Sequence, residues 1–345
     1  MEPMRIATTL PYLSLQALTT CFLGESRRPQ AGTSGRLRAR VSARELIALG
    51  TGSQVPSRYR NHNGYLLRWD DEGVLFDPGE GTQRQMIYAG VAVSAITRVC
   101  VTHFHGDHCL GLAGITQRLS LDDVPHPIHV YFPASGRKYF DRLRYASIYR
   151  ERATVVPHPI EDPNGGIDMP SFRMTVAPLD HGVPTLGYRI DEPDGVRMLP
   201  EELAARGVVG PAIGQLARQG SIEVGGDTVR LEDVSVAKPG QSMAFVMDTR
   251  PCAGALALAK DVDLLVIEST YLHEDVKLAH DHMHMTAVQA ATIGRDAGAR
   301  RVVLTHFSQR YPSLDPFIEE ASAIHPDVVA VVDGQRVSVP KRREG

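Results

Sequence analysis

The stretch Thr102-His103-Phe104-His105-Gly106-Asp107-His108 sets three imidazoles and a carboxylate within six positions. It follows an apolar run, residues 96–101, that reads as a buried strand ending in a turn. Imidazole nitrogen and carboxylate oxygen are ligands for a borderline cation such as zinc. On an extended turn the first and third residues can reach one metal, while the Asp-His pair two positions on reaches another. A polar loop with a few unpaired histidines would not need this spacing. Three further candidates follow: His181, Asp248 and His306, each where an apolar run stops. Strand ends are where loop-borne sites collect in α/β folds. Singly, each could be a core histidine or a capping aspartate. Four such sites in one chain point to a composite metal site.

The surrounding elements must hold these residues together. Residues 45–49, 65–69 and 74–77 read as strands, with Asp70-Asp71-Glu72-Gly73 as a hairpin turn. Gly50-Thr51-Gly52 reads as a tight turn, and a helix is expected over about 83–89. After the histidine cluster, Leu110, Leu112, Ile115 and Leu119 recur at helical spacing and should pack beneath the site. A strand over 128–132 and a helix over 136–150 come next. Strands alternating with helices make this an α/β protein.

With 345 residues, 43% of them hydrophobic, the chain can bury a sizeable core. No stretch approaches the roughly 20 unbroken apolar residues of a membrane span. The net charge of −3 gives no global sign of a polyanionic partner, so nucleic acid would have to meet a local basic patch. Cys21, Cys100, Cys109 and Cys252 lack CxxC spacing and read as reduced cysteines of a cytosolic protein. Cys109, next to the histidine cluster, reads as a buried small hydrophobe. Residues 1–43 fit the rest poorly and read as an N-terminal extension, either a disordered tail, a cleavable leader, or residues ahead of a translation start near Val41. The domain, 44–345, begins at Arg44.

Taken together, the motifs resemble the ribonuclease Z family over about 44–312. The shared stretches are Leu49-Gly50-Thr51-Gly52, Asp77-Pro78-Gly79-Glu80-Gly81-Thr82-Gln83, the HxHxDH cluster, Leu179-Asp180-His181, Asp248-Thr249-Arg250-Pro251 and Leu304-Thr305-His306. An insertion at about 195–225, carrying Gly210-Pro211, Gly214 and Gly220, resembles the projecting arm with which that family grips tRNA. The resemblance implies a four-layer αβ/βα metallo-β-lactamase sandwich with two zinc ions. His103, His105 and His181 would hold one ion and Asp107, His108 and His306 the other, with Asp248 bridging. Asp107 matches the family's general base. His284 matches its second histidine motif, with Glu268 placed to orient it. Gly210, Pro211, Gly214 and Arg218 on the arm, and Ser308 and Arg310 after His306, are expected to contact substrate. The implied enzyme is a cytoplasmic, homodimeric endoribonuclease that removes the 3′ trailer of tRNA precursors, leaving a 3′-hydroxyl and a 5′-phosphate.

The chain departs from the family in places. Pro78 stands where the family often has Cys, and Ile267-Glu268-Ser269-Thr270 replaces a His-Glu-Ala-Thr motif. His273, His280 and His282 read as solvated. The arm has Arg197, Arg206 and Arg218 but also Glu201 and Glu202. A second basic stretch, Arg137, Lys138, Arg142, Arg144, Arg150 and Arg152 against Asp141 and Glu151, offers another RNA surface. Two other classes compete. A binuclear-zinc phosphodiesterase or arylsulfatase of small molecules has no use for a glycine-anchored arm. A non-catalytic RNA-binding scaffold would not need all seven ligand positions filled.

Overall fold

Period-two alternation in the strands explains the layering. In the strand Gly64–Trp69, Tyr65, Leu67 and Trp69 face a central core and Leu66 faces the opposite layer. In Ser242–Val246, Met243 and Phe245 face that same central core while Ala244 and Val246 face outward. Both sides of each sheet are therefore apolar and must be covered. The computed structural model describes residues 44–341, so the expectation for residues 1–43 lies outside them.

The first sheet has seven strands in the spatial order Arg336–Ser338, Glu45–Gly50, Gly64–Trp69, Glu72–Phe76, Arg98–Cys100, Ile128–Pro133 and Val155–Ile160. The second also has seven, in the order Val328–Ala330, Val302–Thr305, Leu264–Glu268, Ser242–Val246, Thr185–Asp191, Arg173–Leu179 and Gly166–Asp168. Leu264–Glu268 is wholly buried and pairs in parallel on both sides, as its unbroken apolar run requires. Helices Thr82–Tyr88, Leu112–Leu121 and Arg137–Arg144 cover the outer face of the first sheet through Met86, Ile115, Leu119 and Phe140. Helices Ala253–Ala259, Ala287–Asp296 and Asp315–Ser322 cover the second through Leu258, Ala291 and Phe317. The result is the four-layer αβ/βα sandwich expected from the sequence.

Two expected extents differ. The helix expected over 136–150 stops at Arg144, because only Phe140 on it is buried and the residues that follow have no apolar stripe to pack. The elements outside the two sheets run from Gly195 to Lys238, past the expected limit near 225. They comprise the hairpin pairs Gly195–Met198 with Ser235–Lys238 and Ser221–Val224 with Asp227–Arg230, and helices Pro200–Ala205 and Pro211–Gln219. This satellite has its own small core of Leu203, Val208, Leu216, Ile222, Val229 and Val234. At its root, the Arg44 guanidinium donates to Glu192, Gln241 and Asp70 and lies 4.6 Å from the Trp69 ring centroid.

Candidate metal centre and active-site cleft

Strand ends deliver the site. His103 follows Arg98–Cys100, His181 follows Arg173–Leu179, Asp248 follows Ser242–Val246 and His306 follows Val302–Thr305. The turns are sharp: Asp77, Asp248 and His306 hold positive φ values of 42°, 48° and 63°. Non-glycine residues adopt that region at a cost, and its concentration at a cluster of polar side chains marks a functional site. Two glycines let the chain close up beneath Asp107. A Cβ at Gly79 would lie 2.2 Å from the Asp107 carbonyl oxygen, and one at Gly111 2.0 Å from that of Gly79.

Ligand atoms of His103, His105, His181 and Asp248 lie within 4.8 Å of one another, as do those of Asp107, His108 and His306. Asp248 reaches both groups. Its Oδ2 is 3.6 Å from His103 Nε2 and 3.2 Å from His108 Nε2, and its Oδ1 is 3.1 Å from His306 Nε2.

Hydrogen bonds behind these residues decide which ring nitrogens carry protons. An ionised carboxylate only accepts. The Thr270 hydroxyl donates to Glu268 at 2.7 Å, so it accepts from His306 Nδ1 at 2.8 Å. The Thr102 hydroxyl donates to Asp77 at 2.7 Å and accepts from His103 Nδ1 at 3.0 Å. His108 Nδ1 donates to Asp77 at 2.8 Å, and His181 Nδ1 to the Met283 carbonyl at 3.1 Å. Each of these four rings therefore turns its Nε2 inward, and His105 brings Nδ1 to 2.9 Å from His103 Nε2 and 3.3 Å from His181 Nε2.

That arrangement tests the fit for a cation. His306 Nε2 and Asp248 Oδ1 are buried, face each other, and have no hydrogen-bond partner. Two acceptors in that position repel unless a cation or an extra proton lies between them. The donor set, five imidazoles with two carboxylates, suits a borderline divalent metal. Without one, charge is unevenly held. Burial, reinforced by His108, pushes the His103 pKa well below 6.5. Burial also opposes charge on His108, but Asp248, Asp107 and Asp77 outweigh it and raise its pKa well above 6.5.

The cleft above this cluster has a volume of about 430 Å³ and is lined in part by His105, Asp107, His181, Asp248, His284 and His306. His284 groups with Asp248 and His306. Its Nδ1 donates to Glu268 Oε1 at 2.9 Å. Burial disfavours its charge, yet Glu268 and then Asp248 raise its pKa to about 9. Glu268 is fully buried behind the cleft and accepts from the backbone N–H groups of Thr249 and Met285.

Other expected contact residues lie elsewhere. Ser308 and Arg310 do not line the cleft; Arg310 sits 5.6 Å from the centroid of Tyr271, which does, and pairs with Asp275 at 3.3 Å. Gly210, Pro211, Gly214 and Arg218 belong to the satellite, where Gly210 caps helix Pro211–Gln219 with φ 59°. His280 and His282 are both exposed as expected, but His282 also has a place in the cleft. It lines the cleft, with Nδ1 3.3 Å from the Tyr271 hydroxyl. Met283, at φ 59°, turns the chain so that His282 and His284 both face the cleft. Sequence reasoning also missed Asp77, Thr102 and Thr270 as orienting groups, although an aspartate closing an apolar strand ahead of a Gly turn was a usable signal.

Comparison with known proteins agrees with this geometry. A family model described as Metallo-beta-lactamase superfamily matches residues 58–198, and one described as Beta-lactamase superfamily domain matches 219–307. The chain is 56% identical over 305 residues to ribonuclease Z of Streptomyces coelicolor, covering 88% of this chain and 100% of that protein. It is also 56% identical over 306 residues to ribonuclease Z of Nocardia farcinica, again covering 88% and 100%. The crystal structure of human tRNase Z, short form, shares the fold at 24% identity, with a TM-score of 0.63, covering 86% of this chain and 99% of that one. At this identity and coverage, the chain belongs to the ribonuclease Z family, the endoribonucleases of the metallo-β-lactamase fold.

Proposed function

We propose that this chain hydrolyses the phosphodiester joining the body of a tRNA precursor to its 3′ trailer. The products are a tRNA ending in a 3′-hydroxyl and a trailer beginning with a 5′-phosphate. His103, His105 and His181 would hold one zinc ion and Asp107, His108 and His306 a second, with Asp248 in reach of both groups. The observation that carries this reading is the convergence of five imidazoles and two carboxylates, with Asp248 Oδ1 and His306 Nε2 buried face to face and without a hydrogen-bond partner. Such an ion pair supplies Lewis acidity, polarising a phosphate and lowering the pKa of water toward ~7.

The chain's own residues supply the rest. Asp107 faces the cleft, where it orients the attacking water and takes its proton. His284, with Nδ1 committed to Glu268, keeps Nε2 for the departing ribose 3′-oxygen. The satellite, with Gly210, Pro211, Gly214 and Arg218, grips the tRNA body, while Arg310 backs the cleft wall through the Tyr271 ring and the Ser308 N–H holds the Thr270 carbonyl. Arg206 adds little to that grip, since it is spent on Glu202 and Asp233. The reading carries with it a homodimer acting in the cytoplasm. Among the described residues no helix is long and apolar enough to cross a membrane.

The test assays one preparation on a tRNA precursor and on bis(p-nitrophenyl) phosphate, with metal analysis alongside. Trailer release and close to two zinc ions per chain are expected. Turnover of the small diester with an intact precursor would favour a phosphodiesterase or arylsulfatase of small molecules. Full activity in metal-free protein would overturn the reading.

A further inference from the structure

Phe104, between His103 and His105, turns its ring onto Phe132 and Tyr139, with centroids 5.8 and 5.9 Å away. Gly136 lets the backbone pass against that ring, since a Cβ there would lie 2.0 Å from it. Helix Arg137–Arg144 thus starts one ring's width from the metal loop. Beyond it Tyr139, Tyr145 and Ile148 are 41%, 60% and 104% exposed. Three large side chains thus stand exposed within ten residues of chain, among the basic ones.

The charge is local too. Residues 137–152 hold six basic side chains against two acidic ones, a net +4 in a chain whose net charge is −3. Half of the basic groups are engaged: Arg137 with Asp141, Arg144 with Glu151 and Arg152 with Asp123. The exposed Lys138, Arg142 and Arg150 are in no recorded ion pair among the described residues. Lys138 lies 4.7 Å from the Tyr139 ring centroid and Arg144 5.3 Å from that of Tyr145. The segment is also pinned. Gln117 donates to the Ser147 hydroxyl at 2.8 Å, and the backbone N–H groups of Arg152 and Ala153 donate to Ser120 Oγ at 3.3 Å.

We propose that this surface binds the single-stranded 3′ trailer as it leaves the cleft, a step that rests on the tRNA-precursor reading above. Cations interleaved with planar rings suit single-stranded nucleic acid, because phosphates meet the cations while unpaired bases stack on the rings. Duplex RNA hides the faces of its bases and gains nothing from exposed tyrosines. The patch also adjoins the metal loop, so it meets the strand on which the cut is made. The satellite, with its separate core, is left to the tRNA body.

The test compares two precursors with the same tRNA body, one with a single-nucleotide trailer and one with a long unstructured trailer. The variants are Lys138→Ser/Arg142→Ser/Arg150→Ser, which breaks no recorded ion pair, and Tyr145→Ala. For the long trailer, the triple variant should raise KM about tenfold with kcat unchanged, and lower the slope of log KM against log salt by about 2. Tyr145→Ala should raise the same KM about fivefold or more. The short-trailer precursor should be cleaved as by the unaltered protein. Equal losses on both precursors would assign the patch to the tRNA body, and no loss on either would make it a solvated face; each outcome overturns the proposal. Failure of the unaltered protein to cleave either precursor would instead overturn the functional reading beneath it.

Discussion

Thr102 and Thr270 play matching parts on the two sheets. Each hydroxyl donates to a buried carboxylate, Asp77 or Glu268, and thereby fixes the tautomer of a histidine, His103 or His306. Groups that orient metal-binding imidazoles usually matter by 10–100-fold in affinity or activity. Thr270→Val should therefore lower zinc affinity by roughly that factor, read by competition with a chelator, and Thr270→Ser should restore most of it. An unchanged affinity in Thr270→Val would mean that His306 needs no such support. These relays were not legible in the sequence, because Thr270 stands 36 positions from His306 and Asp77 25 from Thr102. The residues that converge were legible, because four stand in one motif, 103–108, and His181, Asp248 and His306 each end an apolar run. Gly79 gives a second residue-scale test. The methyl group of Gly79→Ala would press on the Asp107 backbone, so cleavage should fall at least tenfold while the far-ultraviolet circular dichroism is kept.

At the scale of elements, the satellite and the catalytic sandwich are separable. The satellite's small core does not include cleft residues, so replacing residues 203–220 by a short Gly-Ser linker should act on binding. KM for a tRNA precursor should rise while hydrolysis of bis(p-nitrophenyl) phosphate survives, the signature of lost uniform binding. Loss of both activities in folded, zinc-loaded protein would place the satellite in the catalytic machinery. Its root has a pH signature of its own. The hydrogen bond from Arg44 comes first among the causes that hold the Glu192 pKa below its ordinary value of 4.5, burial opposing it. A carboxylate with a depressed native pKa adds stability that is present above 4.5 and fades as the pH falls below it. Glu192→Gln should thus be less stable at pH 7 and lose less stability on acidification between pH 5 and 3, as followed by urea unfolding. The Gly-Pro turn and flanking glycines marked the satellite in the sequence. Its true extent, to Lys238, depends on the pairing of Gly195–Met198 with Ser235–Lys238, two short polar strands with little periodicity to read.

Across the whole molecule, two apolar sheets pressed face to face leave their strand ends along a common edge, and that geometry gathers residues from positions 53 to 306 into one cleft. The strand and helix pattern gave only an α/β protein, and the four-layer order was implied by the family resemblance; in the structure it rests on strands with two apolar faces and helices with a single buried stripe. Where the stripe failed, as after Arg144, the expected helix failed too, and Tyr145, Ile148 and Arg150 are left exposed. His282 escaped for a related reason: its place on the cleft wall comes from the left-handed turn at Met283, not from any helical face. The account stands most directly on the chemistry of the cut ends. Mapping the termini after the full chain acts on a tRNA precursor should show a 3′-hydroxyl on the tRNA and a 5′-phosphate on the trailer, because water is the nucleophile. A 2′,3′-cyclic phosphate on the tRNA with a 5′-hydroxyl on the trailer would mean attack by the neighbouring 2′-hydroxyl, and would contradict a hydrolytic role for this cluster.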